Sequence, residues 1–127
     1  MPSCLFCILS PSSVVDASEL TVTIRDAYPV SPGHTLLIPR RHIAQLFEAS
    51  DAEILALLHA ARRAKAELDV ELHPDGYNLG VNCGVAVGQT VPHLQLHLIP
   101  RFHGDVPDPR GGIRHCIPGK GFYTPDP

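Results

Sequence analysis

The run from His93 to Pro100, HLQLHLIP, constrains the fold of this chain more than any other stretch. Leu94, Leu96 and Leu98 alternate with His93, Gln95 and His97, a period of two that belongs to a strand whose faces differ in polarity. The leucines are expected to face a core. Two imidazoles and an amide then stand in a row on the opposite face, roughly 7 Å between alternate residues, close enough for one phosphate group to meet more than one. The preceding Gly88, Gln89 and Thr90 make a turn of small and donor-bearing residues that suits an anion. The plain alternative is a half-exposed strand whose histidines carry no chemistry.

Further strands and one helix are legible around this run. Leu20 to Arg25 (LTVTIR) and His34 to Ile38 (HTLLI) have strand composition and flank a turn with Pro29, Pro32 and Gly33, which reads as a hairpin. Ser50 followed by Glu53 is a capping-box signature. Ile54, Leu57, Leu58, Ala61, Ala64 and Leu68 then recur at helical spacing to about Asp69. A short helical turn is expected over Ile43 to Glu48, with Leu46 and Phe47 burying themselves. Tyr77 to Cys83 and Pro92 to Ile99 supply two more strands. Strand pairs separated by one long helix indicate an α+β domain with a mainly antiparallel sheet.

With 127 residues, 44% of them hydrophobic, the chain suits one compact domain. A formal charge of −3 argues against a nucleic acid polymer as partner and leaves room for a local phosphate pocket. No apolar run reaches the roughly 18 residues of a membrane span, and Met1 to Ser10 lacks the pattern of a signal peptide. The expectation is a cytoplasmic protein with no membrane partner. In such a setting Cys4 and Cys7, spaced C-x-x-C, read as metal ligands rather than a disulfide. A redox role would want a helix directly after them, and Pro11, Ser12 and Ser13 stand there instead. The plainer alternative is a pair of small buried hydrophobes.

The stretch GQTVPHLQLHLIPR resembles the signature of the histidine triad (HIT) family of nucleotide-binding hydrolases and transferases. DAYPVSPGHTLLIPRRH, from Asp26 to His42, resembles the family's other recognisable segment, and the likeness spans most of residues 4 to 101. It implies a HIT-like fold: a mainly antiparallel five-stranded sheet with one long and one short helix, the sheet extended across a homodimer. Residues 1–103 would form the HIT domain. Residues 104–127, rich in Pro and Gly, would form an extension packed on the domain or on the dimer partner. Within that region Arg110, Arg114, His115 and Lys120, with Arg101 just before it, could reach phosphates or a partner subunit; the plainer alternative is that they are simply solvated charges.

The resemblance also assigns roles. A closed tetrahedral zinc site needs two ligands beyond Cys4 and Cys7, and the family-matched positions are His42 and His93. Such a zinc would be structural and would fix the His93 ring. His97 matches a residue that contacts phosphate as an acid or donor, with Gln89 and Thr90 as further donors beside it. His34 matches a histidine that supports the triad by hydrogen bonding. Asp26 matches the acidic residue that takes the ribose hydroxyls, and Asn82 an amide that contacts the phosphate or leaving group. The implied ligand is a purine nucleotide or related nucleoside phosphate. The implied substrate is a nucleoside phosphoramidate, a dinucleoside polyphosphate or a similar compound.

Gln95 departs from the family pattern, because the middle histidine is the family's nucleophile. An imidazole nitrogen can attack phosphorus and later leave; an amide cannot. Three readings are open: direct attack by water held by Gln95, a nucleotide-binding or sensor module that has lost turnover, and a glutamine introduced to trap substrate.

Overall fold

The computed structural model describes residues 4–123. Residues 1–3 and 124–127, the outer ends of the expected domain and of its extension, lie outside the described residues. Five strands form one antiparallel sheet: β1 (Val14–Ala17), β2 (Thr21–Arg25), β3 (Thr35–Pro39), β4 (Gly76–Gly80) and β5 (Leu96–Arg101), in the order β1-β2-β3-β5-β4. A single long helix, α1 (Asp51–Leu72), covers one face.

The α1 start follows the capping-box reading. Ser50 Oγ accepts the Glu53 backbone N–H at 3.1 Å, and Glu53 Oε1 accepts that of Ser50 at 2.9 Å. Leu57, Ala60, Ala61, Ala64 and Leu68 form the buried stripe, packed on Leu37, Leu94, Leu96 and Leu98. Leu58 is instead 47% exposed, one step off the stripe. Gly33 shows how closely α1 approaches the β2–β3 turn. Its φ is +84°, and a Cβ there would lie 2.7 Å from a Leu68 methyl, so neither backbone nor space admits a side chain.

The leucine alternation is borne out, with Leu94, Leu96 and Leu98 buried toward α1. The strand bounds differ from expectation. β5 begins at Leu96, and β4 ends at Gly80 rather than running to Cys83. β3 ends at Pro39, which offers no N–H to continue the ladder. Upstream of Leu96 the chain bonds elsewhere: Leu94 N–H donates to Ile43 O at 2.7 Å. The short helix shrinks to a 3-10 turn, Leu46–Glu48, and Phe47 is 83% exposed. β1 was not visible as a separate run because it is short, half-exposed and bulged between Val14 and Asp16.

The other face of the sheet positions the site. Val22, Ile24, Leu36 and Ile38 pack there against Phe6, Leu9 and Val14. His97 pairs with Leu36 on β3 and Gly80 on β4, so it shares this face. A 3-10 turn at Gly112–Cys116 lies against β4, where a Cβ on Gly80 would meet Ile113 Cδ1 at 3.9 Å.

Candidate functional site

Two clusters of histidines occupy the polar face. In the first, His93 is fully buried, and its Nε2 donates to the Pro39 carbonyl at 2.8 Å. That bond assigns the ring proton to Nε2 and leaves the Nδ1 lone pair facing inward. Nδ1 lies 3.3 Å from Cys4 Sγ, 3.5 Å from Cys7 Sγ and 3.1 Å from His42 Nδ1, while Cys7 Sγ is 3.2 Å from His42 Nδ1. Two sulfurs and two nitrogens therefore converge on one point. Tetrahedral zinc, with bonds of about 2.0–2.3 Å, holds its ligand atoms roughly 3.3–3.7 Å apart, so the set fits with small contractions or expansions. His42 is positioned by its neighbour: Arg41 makes a two-pronged bridge to Glu53 at 2.7 and 3.1 Å, tying the exit of β3 to the start of α1. Hydrogen bonds from Arg41 and Ser50 hold the buried Glu53 carboxyl at a pKa of about 2.

The second cluster is Asp26, His34 and His97. Val30 N–H donates to His34 Nδ1 at 3.2 Å, so the neutral ring carries its proton on Nε2. His34 Nε2 lies 2.9 Å from His97 Nδ1 and 3.4 Å from Asp26 Oδ2. The shorter contact makes His97 Nδ1 an acceptor and assigns the His97 proton to Nε2. A directed relay results: backbone N–H to His34, His34 to His97, and His97 Nε2–H left as donor to whatever enters the cavity that His97 lines. Burial pushes both imidazoles below the ordinary histidine pKa, and for His97 the neighbouring His34 charge adds to the effect. Both rings are thus neutral near pH 7. Three ligand-type atoms of this cluster lie within 4.8 Å of one another, yet a protonated His34 Nε2 has no lone pair for a metal.

The cavity has a volume of about 620 Å³, enough for a nucleotide. Asp26, His34, Asn82, Thr90, Gln95 and His97 line its polar side. Asp26 Oδ1 accepts Tyr28 N–H at 2.8 Å and leaves Oδ2 facing the relay. Gln95 Nε2 donates to the His93 carbonyl at 3.2 Å, which parks the amide between the clusters.

Gln89 also lines the cavity, but its amide is committed. Nε2 donates to Ala44 O at 2.7 Å and Val91 O at 3.1 Å, while Oε1 accepts Gly84 N–H at 2.8 Å. Here its side chain braces the Gly84–Val91 loop and offers a phosphate no free donor. Arg101 is committed likewise, to Asp105 at 2.7 and 2.8 Å and to Asn78 at 2.7 Å.

The apolar side was not singled out from sequence: Leu5, Phe6, Leu9, Ile24 and Leu36. The signal available was the C-x-x-C itself, since anchoring Cys4 and Cys7 on the sheet carries Leu5 and Phe6 with them.

A family model described as the HIT domain matches residues 9–104. Bis(5'-nucleosyl)-tetraphosphatase [asymmetrical] of Schizosaccharomyces pombe is 32% identical over 94 residues, covering 74% of this chain and 52% of that protein. AP-4-A phosphorylase of Mycobacterium tuberculosis is 31% identical over 93 residues, covering 72% and 48%. The chain thus spans about half the length of these two relatives. A Zn-bound histidine triad family protein from Mycobacterium smegmatis superposes with a TM-score of 0.74 at 32% identity, covering 84% of each chain.

Proposed function

The chain belongs to the HIT family, and we propose that it binds a purine nucleotide or related nucleoside phosphate in the His97 cavity and acts on it as a hydrolase or nucleotidyl transferase. The substrate class is a nucleoside phosphoramidate, a dinucleoside polyphosphate or a similar nucleoside phosphate. The observation that carries this reading is the relay from Val30 through His34 to His97, because it leaves one oriented donor, Nε2–H, on a nucleotide-sized cavity.

In this reading the ribose hydroxyls meet the Asp26 carboxylate, a two-oxygen acceptor. The phosphate lies over His97 and Thr90, with Gln89 holding the loop that presents Thr90 and Asn82 toward the leaving group. The neutral His97 ring donates its Nε2–H as a hydrogen bond to the leaving atom as the bond to phosphorus breaks, and the proton of the attacking water passes to that atom. Gln95 supplies no nucleophile, so water attacks phosphorus in line, oriented by the amide. Zinc on Cys4, Cys7, His42 and His93 would be structural: four protein ligands leave no open position, and the metal pins the N-terminal turn beside the cavity. Two copies would pair through α1 and the β4 edge, which would protect an otherwise open strand. Light scattering tests that pairing, with twice the 13.7 kDa chain mass expected.

Gln95 favours a second reading, a catalytically impaired nucleotide-binding or sensor module. Product analysis after incubation with adenosine phosphoramidate, a dinucleoside polyphosphate and adenosine phosphosulfate separates the two. Turnover near 1 per second, ordinary for an enzyme, supports direct attack. AMP binding without turnover supports the sensor, and neither binding nor turnover overturns both.

A further inference from the structure

The metal cluster and the cavity share one segment. Cys4 and Cys7 flank Leu5 and Phe6, and Leu5, Phe6 and Leu9 form an apolar wall of the cavity. Among the described residues, the only backbone–backbone hydrogen bond of residues 4–9 is Cys7 N–H to Cys4 O, and none reaches the sheet. What holds the wall in place is side chains: the two thiols against His42 and His93, the Phe6 ring edge-on to His93 at 6.1 Å between centroids, and the packing of Phe6 and Leu9 on the β2–β3 cluster. A flat, apolar nucleobase is the part of a nucleotide that such a wall accommodates.

We infer that zinc on Cys4, Cys7, His42 and His93 and a nucleobase against Leu5, Phe6 and Leu9 bind cooperatively, each strengthening the other through this segment. The inference rests on the nucleotide-binding reading. Zinc clamps the two ends of the Cys4–Cys7 turn, so the wall is ordered before the base arrives. The base packs on the inner side of the same turn and holds the thiols on the metal. Reciprocity is required, because a coupling free energy between two sites acts equally in both directions.

The test follows zinc retention rather than activity. Zinc-loaded protein is titrated with a chromogenic chelator, with and without saturating AMP, in the parent and in Phe6→Ala and Leu5→Ser, which keep all four ligands. AMP is expected to raise the parent's apparent zinc affinity about fivefold or more, the lower end of ordinary coupling. Phe6→Ala is expected to bind AMP about tenfold more weakly, the scale of one lost stacking contact. At its own saturating AMP concentration it should show less than a twofold effect on zinc. Two variants keep the comparison available if one folds poorly. AMP that binds the parent without changing zinc retention overturns the linkage, as does equal protection of parent and variants, and either leaves the nucleotide-binding reading standing. No AMP binding to the zinc-loaded parent overturns both.

Discussion

His42 with His93, and His34 with His97, are two histidine pairs on one sheet face at nearly the same separation, 3.1 and 2.9 Å between ring nitrogens. Their chemistry differs because each pair has one ring with a different backbone partner. A carbonyl, Pro39 O, takes the His93 Nε2 proton and turns the Nδ1 lone pair toward two thiols. An amide, Val30 N–H, takes the His34 Nδ1 lone pair and turns its Nε2 proton toward His97. The first arrangement gathers lone pairs and wants a cation. The second lines up donors and leaves the His97 Nε2–H to offer. One carbonyl and one amide thus set the two roles, where residue type alone sets neither.

The largest expected effect probes the residue between the pairs. Gln95→His should create or raise phosphoramidate hydrolysis by at least 100-fold, because an imidazole restores the nucleophile while the relay and pocket stay in place. Intact-mass spectrometry should then find a nucleotidyl adduct on the variant and none on the parent. A slower Gln95→His would favour direct water attack and remove the view of Gln95 as a loss.

Next in size is the cation side. Cys4→Ser with Cys7→Ser should abolish zinc binding and lower the melting temperature by about 10 °C or more, the scale of roughly 3 kcal/mol in a domain of this length. The relay should survive, so His34 and His97 should keep their resonances and titration in NMR spectra of the variant below its melting point. A double variant that melts like the parent would remove the structural role of the metal.

Asp26→Ala probes the proton side. It removes hydrogen bonds to an ionised acceptor, each worth roughly 1.5–3 kcal/mol, so AMP and GMP affinity should fall about tenfold or more by calorimetry. Zinc content should be unchanged. Equal affinity in parent and variant would rule out the ribose contact.

The smallest effect is on stability against pH. His34 and His97 have pKa values lowered by burial from the ordinary 6.5. Below that value the unfolded chain therefore binds more protons than the folded one. Their contribution holds above pH 6.5 and is lost as pH falls from there through the lowered folded values. The slope of melting temperature between pH 7 and 5 should be shallower in His34→Gln/His97→Gln than in the parent, with the zinc-linked part of the slope retained. An unchanged slope would mean the two rings titrate normally.

How far the sequence reaches is visible in the same residues. Alternation in HLQLHLIP separates the leucine face from the His and Gln face, since burial enforces a period of two. Ser50 and Glu53 announce the helix start because a capping box is local chemistry. Pro39 marks the end of β3 because it lacks an N–H, but the start of β5 at Leu96 depends on Leu94 N–H finding Ile43 O instead of a strand partner, a tertiary matter. So is the committed amide of Gln89, whose partners Ala44 and Gly84 come from separate loops. The tautomers of His34 and His93 were likewise illegible, because Val30 and Pro39 become their partners only after folding.

The contrast between the pairs is tested most directly by zinc-edge X-ray absorption with metal analysis on the parent and on His34→Ala and His93→Ala. The account predicts one zinc per chain with two sulfurs near 2.3 Å and two nitrogens near 2.0–2.1 Å, kept in His34→Ala and lost or reduced to fewer nitrogens in His93→Ala. Two zinc ions per chain, or a metal without sulfur ligands that departs with His34, would contradict it.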